Sequence, residues 1–369
     1  MSQPRPRLAI IIVNYNTREL LRRCLQSVYA SAAQSADLLA VDVLVIDSAS
    51  HDESAAMVAA DFPAAHLIAS PINLGYTGGN NLGLQTFGFS IGSPSTSSGS
   101  GDEAVDHAQF AIRNSPQVPA AAPSSPPDYV LLLNADTEVQ GDALWQMAHF
   151  LTTTPKAGAC GAQLHYGDGR VQHGAFRFPS LAQIAIDFFP LTGLPGIQRL
   201  HNSRLNGRYA QSAWRGPQPF PVDFVLGAAL MVRGAVIQQL GGLDDGYFMY
   251  CEELDWAVRM KLAGWQIYAV PTARVIHHEG QSSKQVRWSA FVRLWRSRLR
   301  FYHKYQSSHP IGYTTAIRLL ATIGLWWRTA QVDRRFAQGQ IDGVAWQAER
   351  EAYEAVRELV VGGSRPVGQ

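Results

Sequence analysis

Cysteine is scarce, with Cys24, Cys160 and Cys251 the only three in 369 residues, and their spacing fits neither a metal-ligand pattern nor a disulfide framework. A disulfide-stapled secreted scaffold is thereby excluded. Three thiols reduced in a core are expected instead, as in a cytoplasmic protein. An excess of one charge is also lacking: 31 Lys and Arg stand against 29 Asp and Glu, a net charge of +2. Without a global positive field nucleic acid is not an expected partner, and any basic partner surface must be local. No apolar run is long enough to span a bilayer. The run Leu8 to Val13, after a basic N-terminus, is too short for the core of a signal peptide and reads as a buried strand. Neither a G-x-G-x-x-G dinucleotide fingerprint nor a Walker A loop occurs, which counts against nicotinamide and NTPase chemistry.

What is present is the patterning of an α/β protein. The hydrophobic fraction is 46% and the charged fraction 16%, values that allow a large core. Leu8 to Val13 and Val41 to Ile46 are continuous, β-branched runs, as in strands covered on both faces. Between them an apolar stripe at Leu20, Leu21, Cys24, Leu25 and Val28 has helical spacing, with Thr17 as its cap. Asp52 is placed to cap the next helix, and His66 to Ala69 is a short third strand. Strand and helix alternating this way predict right-handed βαβ units and a mostly parallel sheet. From about residue 88 to 127 the pattern collapses into Ser/Gly and Pro/Ala tracts, read as a flexible surface insertion, with a folded hairpin as the alternative. Further strands are expected over Tyr129 to Leu133, Ala159 to Leu164, Phe224 to Arg233, Trp265 to Val270 and Val275 to His278. Helices are expected over Glu252 to Leu262, Val286 to Tyr305, Ile317 to Trp327 and Val344 to Val360.

In an open parallel sheet, ligands bind beyond the carboxyl ends of the strands. Four of those ends carry polar chemistry: Asn14-Tyr15-Asn16, Asp47-Ser48, Asn73 to Asn81, and Asn134-Ala135-Asp136. In an extended chain Asn134 and Asp136 leave the same face, where a carboxylate can hold a hard divalent cation shared with two phosphate oxygens. Asp136 as a helix cap is the alternative. The glycine-rich stretch Asn73 to Asn81 opens a helix and offers backbone N–H groups to a phosphate or sugar. Glu252, Glu253 and Asp255 begin a helix, where mutual repulsion can raise a carboxyl pKa into the range of a general base. Asp255 and Arg259, four apart, are expected to pair. Of the adjacent His277 and His278, one at most faces any site.

Taken in order, Ile12-Val13-Asn14-Tyr15-Asn16, Val45 to Asp52, Asn73-Leu74-Gly75-Tyr76-x-Gly78-Gly79-Asn80, Leu133 to Asp136, Glu252 to Asp255 and His277 resemble the GT-A-fold glycosyltransferases of family 2, and among them the rhamnosyltransferase-like branch. The likeness runs from about Leu8 to Ser283, interrupted by the insertion. It implies a GT-A fold: a Rossmann-like, mostly parallel sheet flanked by helices, with a C-terminal helical appendage. The implied organisation is a catalytic domain over 1–285, with a nucleotide-binding half at 1–138 and an acceptor half at 139–285, followed by a helical region at 286–369. It further implies inverting transfer from a nucleoside-diphosphate sugar, rhamnose among the candidates, to a glycan or polyprenyl-linked acceptor of cell-surface polysaccharide synthesis. Asn14, Tyr15 and Asp47 then correspond to base and ribose contacts. Asn73 and Gly78 line the donor pocket, Asn134 and Asp136 form the D-x-D-like motif, and Asp136 with His277 holds Mg²⁺ or Mn²⁺. The family's base falls on Glu253, with Glu252 beside it. Two positions depart from the family pattern: Ser48 stands where Asn or Asp is usual, and Glu253 replaces the commoner aspartate.

The aromatic and Arg-rich helix from Val286 suits an anionic membrane surface or an acceptor diphosphate, giving an expected peripheral attachment at the inner face of the cell membrane; packing against the catalytic domain is the alternative. A non-catalytic nucleotide-sugar-binding subunit of an assembly complex is the competing function. A nucleotidyltransferase would need a Gly-rich, basic loop early in the chain, and Asn14 to Thr17 supplies neither.

Overall fold

The computed structural model describes residues 5–91, 125–189, 197–278 and 287–362. Of the expected insertion, residues 92–124 lie outside the described residues. Two compact units are present: Met1–Phe176, Gln211–Phe248 and Glu252–Ser282 form the first, and Arg177–Ala210, Met249–Cys251 and Ser283–Gln369 the second.

The strands of the first unit are β1 Arg7–Asn14, β2 Ala40–Ser48, β3 His66–Ser70, β4 Tyr129–Asn134, β5 Thr137–Gln140, β6 Ala157–His165, β7 Ala175–Phe176, β8 Phe220–Val222, β9 Phe224–Val225, β10 Ala229–Arg233 and β11 Gln266–His277. In chain order the helices are α1 Arg18–Gln34, α2 Ser54–Asp61, α3 Gly75–Thr86, α4 Ala143–Thr153, α5 Leu181–Phe188, α6 Ile197–His201, α7 Gln211–Arg215, α8 Gly234–Leu240, α9 Glu252–Leu262, α10 Arg287–Lys304, α11 Tyr313–Ala337 and α12 Gly343–Val361. The main sheet runs β3-β2-β1-β4-β10-β6-β11-β5, with β8 added on β11. β1 to β4 are parallel neighbours, β10 runs antiparallel between β4 and β6, and β11 is parallel to β6. The expected α/β architecture, a mostly parallel sheet flanked by helices, is the one found.

The continuous apolar run of β1 is explained by its two covered faces. Leu8, Ile10 and Ile12 join Leu21, Leu25 and Val28 of α1 in one core cluster. On the other face Ile11 and Val13 meet α3 at its glycines. A Cβ at Gly79 would stand 2.8 Å from Val13 Cγ1, and one at Gly83 2.6 Å from Ile11 Cγ2. Helix α3 thus lies closer to the sheet than any side chain would permit. Gly83→Ala is expected to cost about 1–3 kcal/mol through overpacking, read as a lower urea midpoint; an unchanged midpoint would contradict the close packing.

Two strand expectations change. Phe224 to Arg233 is not one strand: it breaks at Leu226-Gly227-Ala228 between β9, which pairs with β7, and β10, which joins the main sheet. Trp265 to Val270 and Val275 to His278 belong instead to the single strand β11, which carries a register shift between Val270 and Arg274. Helix caps differ as well. Thr17 makes no side-chain cap bond; its hydroxyl donates to Asn14 Oδ1 at 2.6 Å. Asp52 serves two helices, accepting from Arg18 N at 2.8 Å and from Ser54 N at 3.1 Å. Cys24 and Cys160 are buried as expected, but Cys251 is partly exposed.

The second unit is helical. Phe188 of α5 stacks on Trp295 of α10, with centroids 4.8 Å apart, and lies against Gly324 of α11, where a Cβ would fall 2.3 Å from Phe188 Cγ. Asp187 pairs with Arg298 at 2.9 Å. Tyr353 of α12 meets Trp288 and Phe291 edge-on. Trp295, Phe301 and Tyr302 are buried. Much of the aromatic character that suggested a membrane face on α10 is therefore internal packing. No helix among the described residues is long and apolar enough to cross a membrane.

Candidate functional site

Parallel pairing brings the polar strand ends together. Asn14 is in register with Asp47, and Val13 with Asn134. Asn14 Nδ2 donates to Asp47 Oδ1 at 2.8 Å and to Ser50 Oγ at 3.1 Å, while Ser50 N donates to Asp47 Oδ2 at 3.0 Å. Asn14 and Asp47 are both buried, so their side chains fix the loops after β1 and β2. Tyr15, at 42% exposure, is the member of this end with an accessible side chain. Ser48 is buried and its hydroxyl finds no hydrogen-bond partner.

Asn134 and Asp136 do not share a strand face, because β4 ends at Asn134 and Ala135-Asp136 form a turn into β5. The following element is a strand, so Asp136 caps no helix. Its carbonyl instead accepts from His278 N at 2.9 Å, tying the turn to the end of β11. This pairing puts His277 beside Asp136: Nε2 lies 3.4 Å from Asp136 Oδ1, with both side chains largely buried. His277 Nδ1 is 3.0 Å from Gln172 Oε1. An amide oxygen can only accept, so Nδ1 carries a proton, and in the neutral ring it is the Nε2 lone pair that faces Asp136. His278 turns the other way, to Glu138 at 2.7 Å. A separation of 3.4 Å is near the ~3 Å edge between adjacent ligands of an octahedron with ~2.1 Å bonds. The pair therefore fits two corners of a divalent-cation site. Among the described residues no group of three or more His, Cys, Asp or Glu side chains is arranged to hold a metal.

The glycine-rich stretch does not cradle a phosphate as expected, because its N–H groups are already committed. Gly75 N donates to Asn73 Oδ1 at 2.9 Å. Tyr76 N and Thr77 N converge on Phe248 O at 3.0 and 3.4 Å. Gly75, at φ +68°, is held where a Cβ would sit 2.5 Å from that carbonyl. Asn81 completes the bracket: Leu243 N donates to its Oδ1 and its Nδ2 donates to Leu243 O, each at 2.9 Å. The motif clamps the loop that leads into α9. Asn73 is exposed and Gly78 half-buried at its edge.

That loop delivers the acids. The chain reaches α9 through two consecutive left-handed residues, Tyr250 at φ 73° and Cys251 at φ 66°, a conformation costing non-glycine residues about 1–3 kcal/mol. The expected Asp255–Arg259 pair is present at 2.8 Å, and the guanidinium also reaches Leu240 O and Gly242 O, so this carboxylate anchors the helix. Glu252 is buried and Glu253 half-buried. Burial and then the Glu253 charge push Glu252 well above the usual carboxylate range. Burial also raises Glu253, against the opposing pull of N–H groups from its own backbone, Leu254 and Gly227. One oxygen of each has no hydrogen-bond partner. Glu253 also borders a small cavity lined by Val225, Leu230, Ala257, Met260 and Ile267, surroundings that account for the raised pKa.

Gly227-Ala228, hidden in sequence inside an apparent strand, joins these parts. Gly227 N–H lies close enough to the Glu253 carboxylate to oppose the rise of its pKa, Gly227 O accepts from Tyr76 Oη at 2.7 Å, and Ala228 O accepts from Asn134 N at 3.0 Å. The acid pair is thus tied to the same sheet edge as the Asp136 turn. Tyr76, Gln172 and Gly227 are the residues whose part in the site the sequence does not reveal. Tyr76 alone carries a signal, as the aromatic inside the glycine-rich motif.

The ionisable groups gathered at these strand ends are thus an Asp–His pair 3.4 Å apart and two acids whose pKa burial raises, the kinds of group that a group-transfer reaction uses. The model of the family described as glycosyltransferase like family 2 matches residues 4–294: the chain belongs to glycosyltransferase family 2 and is a glycosyltransferase. It is 26% identical over 281 residues to the N-acetylglucosaminyl-diphospho-decaprenol L-rhamnosyltransferase of Mycobacterium tuberculosis, covering 75% of this chain and 77% of that protein. It is 29% identical over 182 residues to rhamnosyltransferase WbbL of Escherichia coli, covering 47% of this chain and 63% of the relative. A solved mannosyltransferase from Pyrobaculum calidifontis, in complex with GDP-Man and Mn²⁺, is 13% identical, with 98% of this chain and 89% of that chain covered and a TM-score of 0.48.

Proposed function

We propose that this glycosyltransferase is inverting and metal-dependent, moving a deoxyhexose such as rhamnose from a nucleoside diphosphate to a polyprenyl-diphosphate-linked sugar in cell-surface polysaccharide synthesis. The observation that carries the reading is the place of Gly227-Ala228, whose first N–H faces the Glu253 carboxylate and whose second carbonyl accepts from Asn134 N. It supports one crevice in which acceptor activation and departure of the diphosphate act together. The rhamnosyltransferase relatives support the sugar and the lipid-linked acceptor.

Glu253 takes the proton of the acceptor hydroxyl as its oxygen attacks the anomeric carbon from the side opposite the leaving diphosphate. Glu252, the more deeply buried acid and the more strongly raised, stays protonated, so the ionised member of the pair is Glu253. The turn at Asp136 and the His277 imidazole orient the diphosphate end of the donor. When bound, Mg²⁺ or Mn²⁺ would lie between Asp136 and His277 and supply Lewis-acid stabilisation of the leaving group. Tyr15 offers an exposed ring to the nucleobase, with Asn14 and Asp47 holding its loop. Asn73 and Gly78 border the donor pocket, and Asn134 positions the turn.

Gln172 sets the His277 tautomer in this scheme. Gln172→Leu is expected to weaken Mn²⁺ binding about 10–100-fold, measured by titration of the free protein; wild-type affinity would contradict the tautomer assignment. The reading as a whole is tested by incubating the protein with dTDP-, UDP- and GDP-sugars and a polyprenyl-diphosphate-linked N-acetylglucosamine. Transfer that stops with EDTA and returns with Mg²⁺ or Mn²⁺ is expected. Donor binding without turnover under every condition would favour the non-catalytic subunit instead.

A further inference from the structure

The net charge of +2 conceals a strong internal asymmetry. The first unit carries 13 Lys and Arg against 22 Asp and Glu, a formal net of −9, whereas the second carries 18 against 7, a net of +11. A unit so strongly basic attracts anionic surfaces and is repelled by others like itself. On α10 the positions turned to solvent include Arg296, Arg300 and Lys304.

The same unit exposes apolar surface along one line. Leu319, Ile323 and Trp326 of α11 are 60%, 49% and 65% exposed, and their i, i+4, i+7 spacing puts them on one face. Ala330 and then Arg334 continue that face towards the C-terminal end, both exposed. The opposite side of α11 is the packed one, with Ile317, Ala321, Gly324, Leu325 and Val332 buried. The one acid of this helix, Asp333, is engaged by Trp346 Nε1 and Arg350.

We propose that the second unit docks on an anionic lipid bilayer, with Leu319, Ile323 and Trp326 of α11 inserted at the headgroup level. The purpose of this docking rests on the lipid-linked acceptor proposed above; the docking itself rests on the charge and the stripe. Three features select a bilayer over a second copy of the chain. The stripe from Leu319 to Trp326 is only about 10 Å long, far smaller than the ~800 Å² per partner of a stable dimer. Two units of net +11 repel, whereas anionic headgroups attract every nearby Lys or Arg. A Trp at the end of a short aliphatic stripe, followed by Arg, is the order suited to the bilayer interface. Since no described helix can cross a membrane, α11 lies along the surface.

The test is sedimentation of the full chain with vesicles of phosphatidylcholine alone and of phosphatidylcholine mixed with phosphatidylglycerol. Binding to the mixed vesicles only, weakened by added salt, is expected. The triple variant Leu319→Ser, Ile323→Ser, Trp326→Ser is expected to lose about 10–100-fold in partitioning. These side chains are exposed, so its circular dichroism spectrum and melting should match the wild type. If the triple variant folds poorly, Trp326→Ser alone is expected to show a smaller loss in the same direction. Equal partitioning of variant and wild type would overturn the proposal, as would a wild type that binds neither vesicle. Concentration-dependent dimerisation in light scattering, abolished by the variant and unaccompanied by vesicle binding, would overturn it in favour of a second copy. No donor or acceptor is present in this assay. Failure of glycosyl transfer therefore leaves the vesicle result standing, and a negative vesicle result leaves transfer to a water-soluble acceptor analogue intact.

Discussion

Replacing Glu253 by Gln is expected to lower kcat by about 10²–10⁴-fold while leaving the Kd for the donor within a few fold of wild type. Gln keeps the size of the side chain but cannot take a proton. Glu252→Gln is the matched control: a carboxyl pushed towards its neutral form by burial and by its neighbour should lose little on becoming an amide, so kcat should stay within several fold. The pH profile separates the two further. A base must be ionised to act, and burial raises the Glu253 pKa. Activity should therefore fall on acidification from a pH above the ordinary carboxylate range, and this limb should vanish from the residual activity of Glu253→Gln. Steady-state kinetics across pH would show it. Full activity of Glu253→Gln, or a greater loss in Glu252→Gln, would move the base.

Asp136→Asn carries the second large effect. The substitution keeps the turn, whose bond from His278 N is to the backbone carbonyl, yet removes the only carboxylate facing His277 Nε2 among the described contacts. Loss of about 10²–10³-fold in kcat is expected, the scale of removing one group that stabilises developing charge. Mn²⁺ binding by the free protein should be lost in parallel, and the melting temperature should be nearly unchanged. Metal-stimulated turnover at the wild-type level would show that the cation site lies elsewhere.

Much of the site is legible in the amino-acid sequence because its parts fall at strand ends, and strand ends are marked by where β-branched runs stop. The β1, β2 and β4 edges are legible this way, as is α9 with its acids and its Asp255–Arg259 pair. Three features are not legible, each for a physical reason. Gly227-Ala228 is as apolar as the strands around it, and only the change of partner from β7 to β4 along this segment, with Gly227 O bonded to Tyr76, sets it apart. The glycines of Asn73 to Asn81 resemble a phosphate loop because absence of Cβ is the same signal whether a ligand or a backbone approaches; here Phe248 O and β1 side chains are what approach. Gln172 belongs to no motif and meets His277 from 105 residues away. The aromatic residues of α10 mislead for a different reason. A helix rich in both Arg and aromatics can bury either face, and Phe188 and Tyr353 from distant segments decide which.

The most direct test is the stereochemistry of transfer, followed by proton NMR with Mg²⁺ as the cation. The donor in the panel that supports transfer would be incubated with the polyprenyl-diphosphate-linked acceptor, and the anomeric configuration of the new glycosidic bond compared with that of the donor. Direct attack by a hydroxyl deprotonated at Glu253 predicts an inverted anomeric centre, formed in wild type and absent on the same timescale in Glu253→Gln. A retained configuration, or an inverted product formed equally fast by the variant, would contradict it.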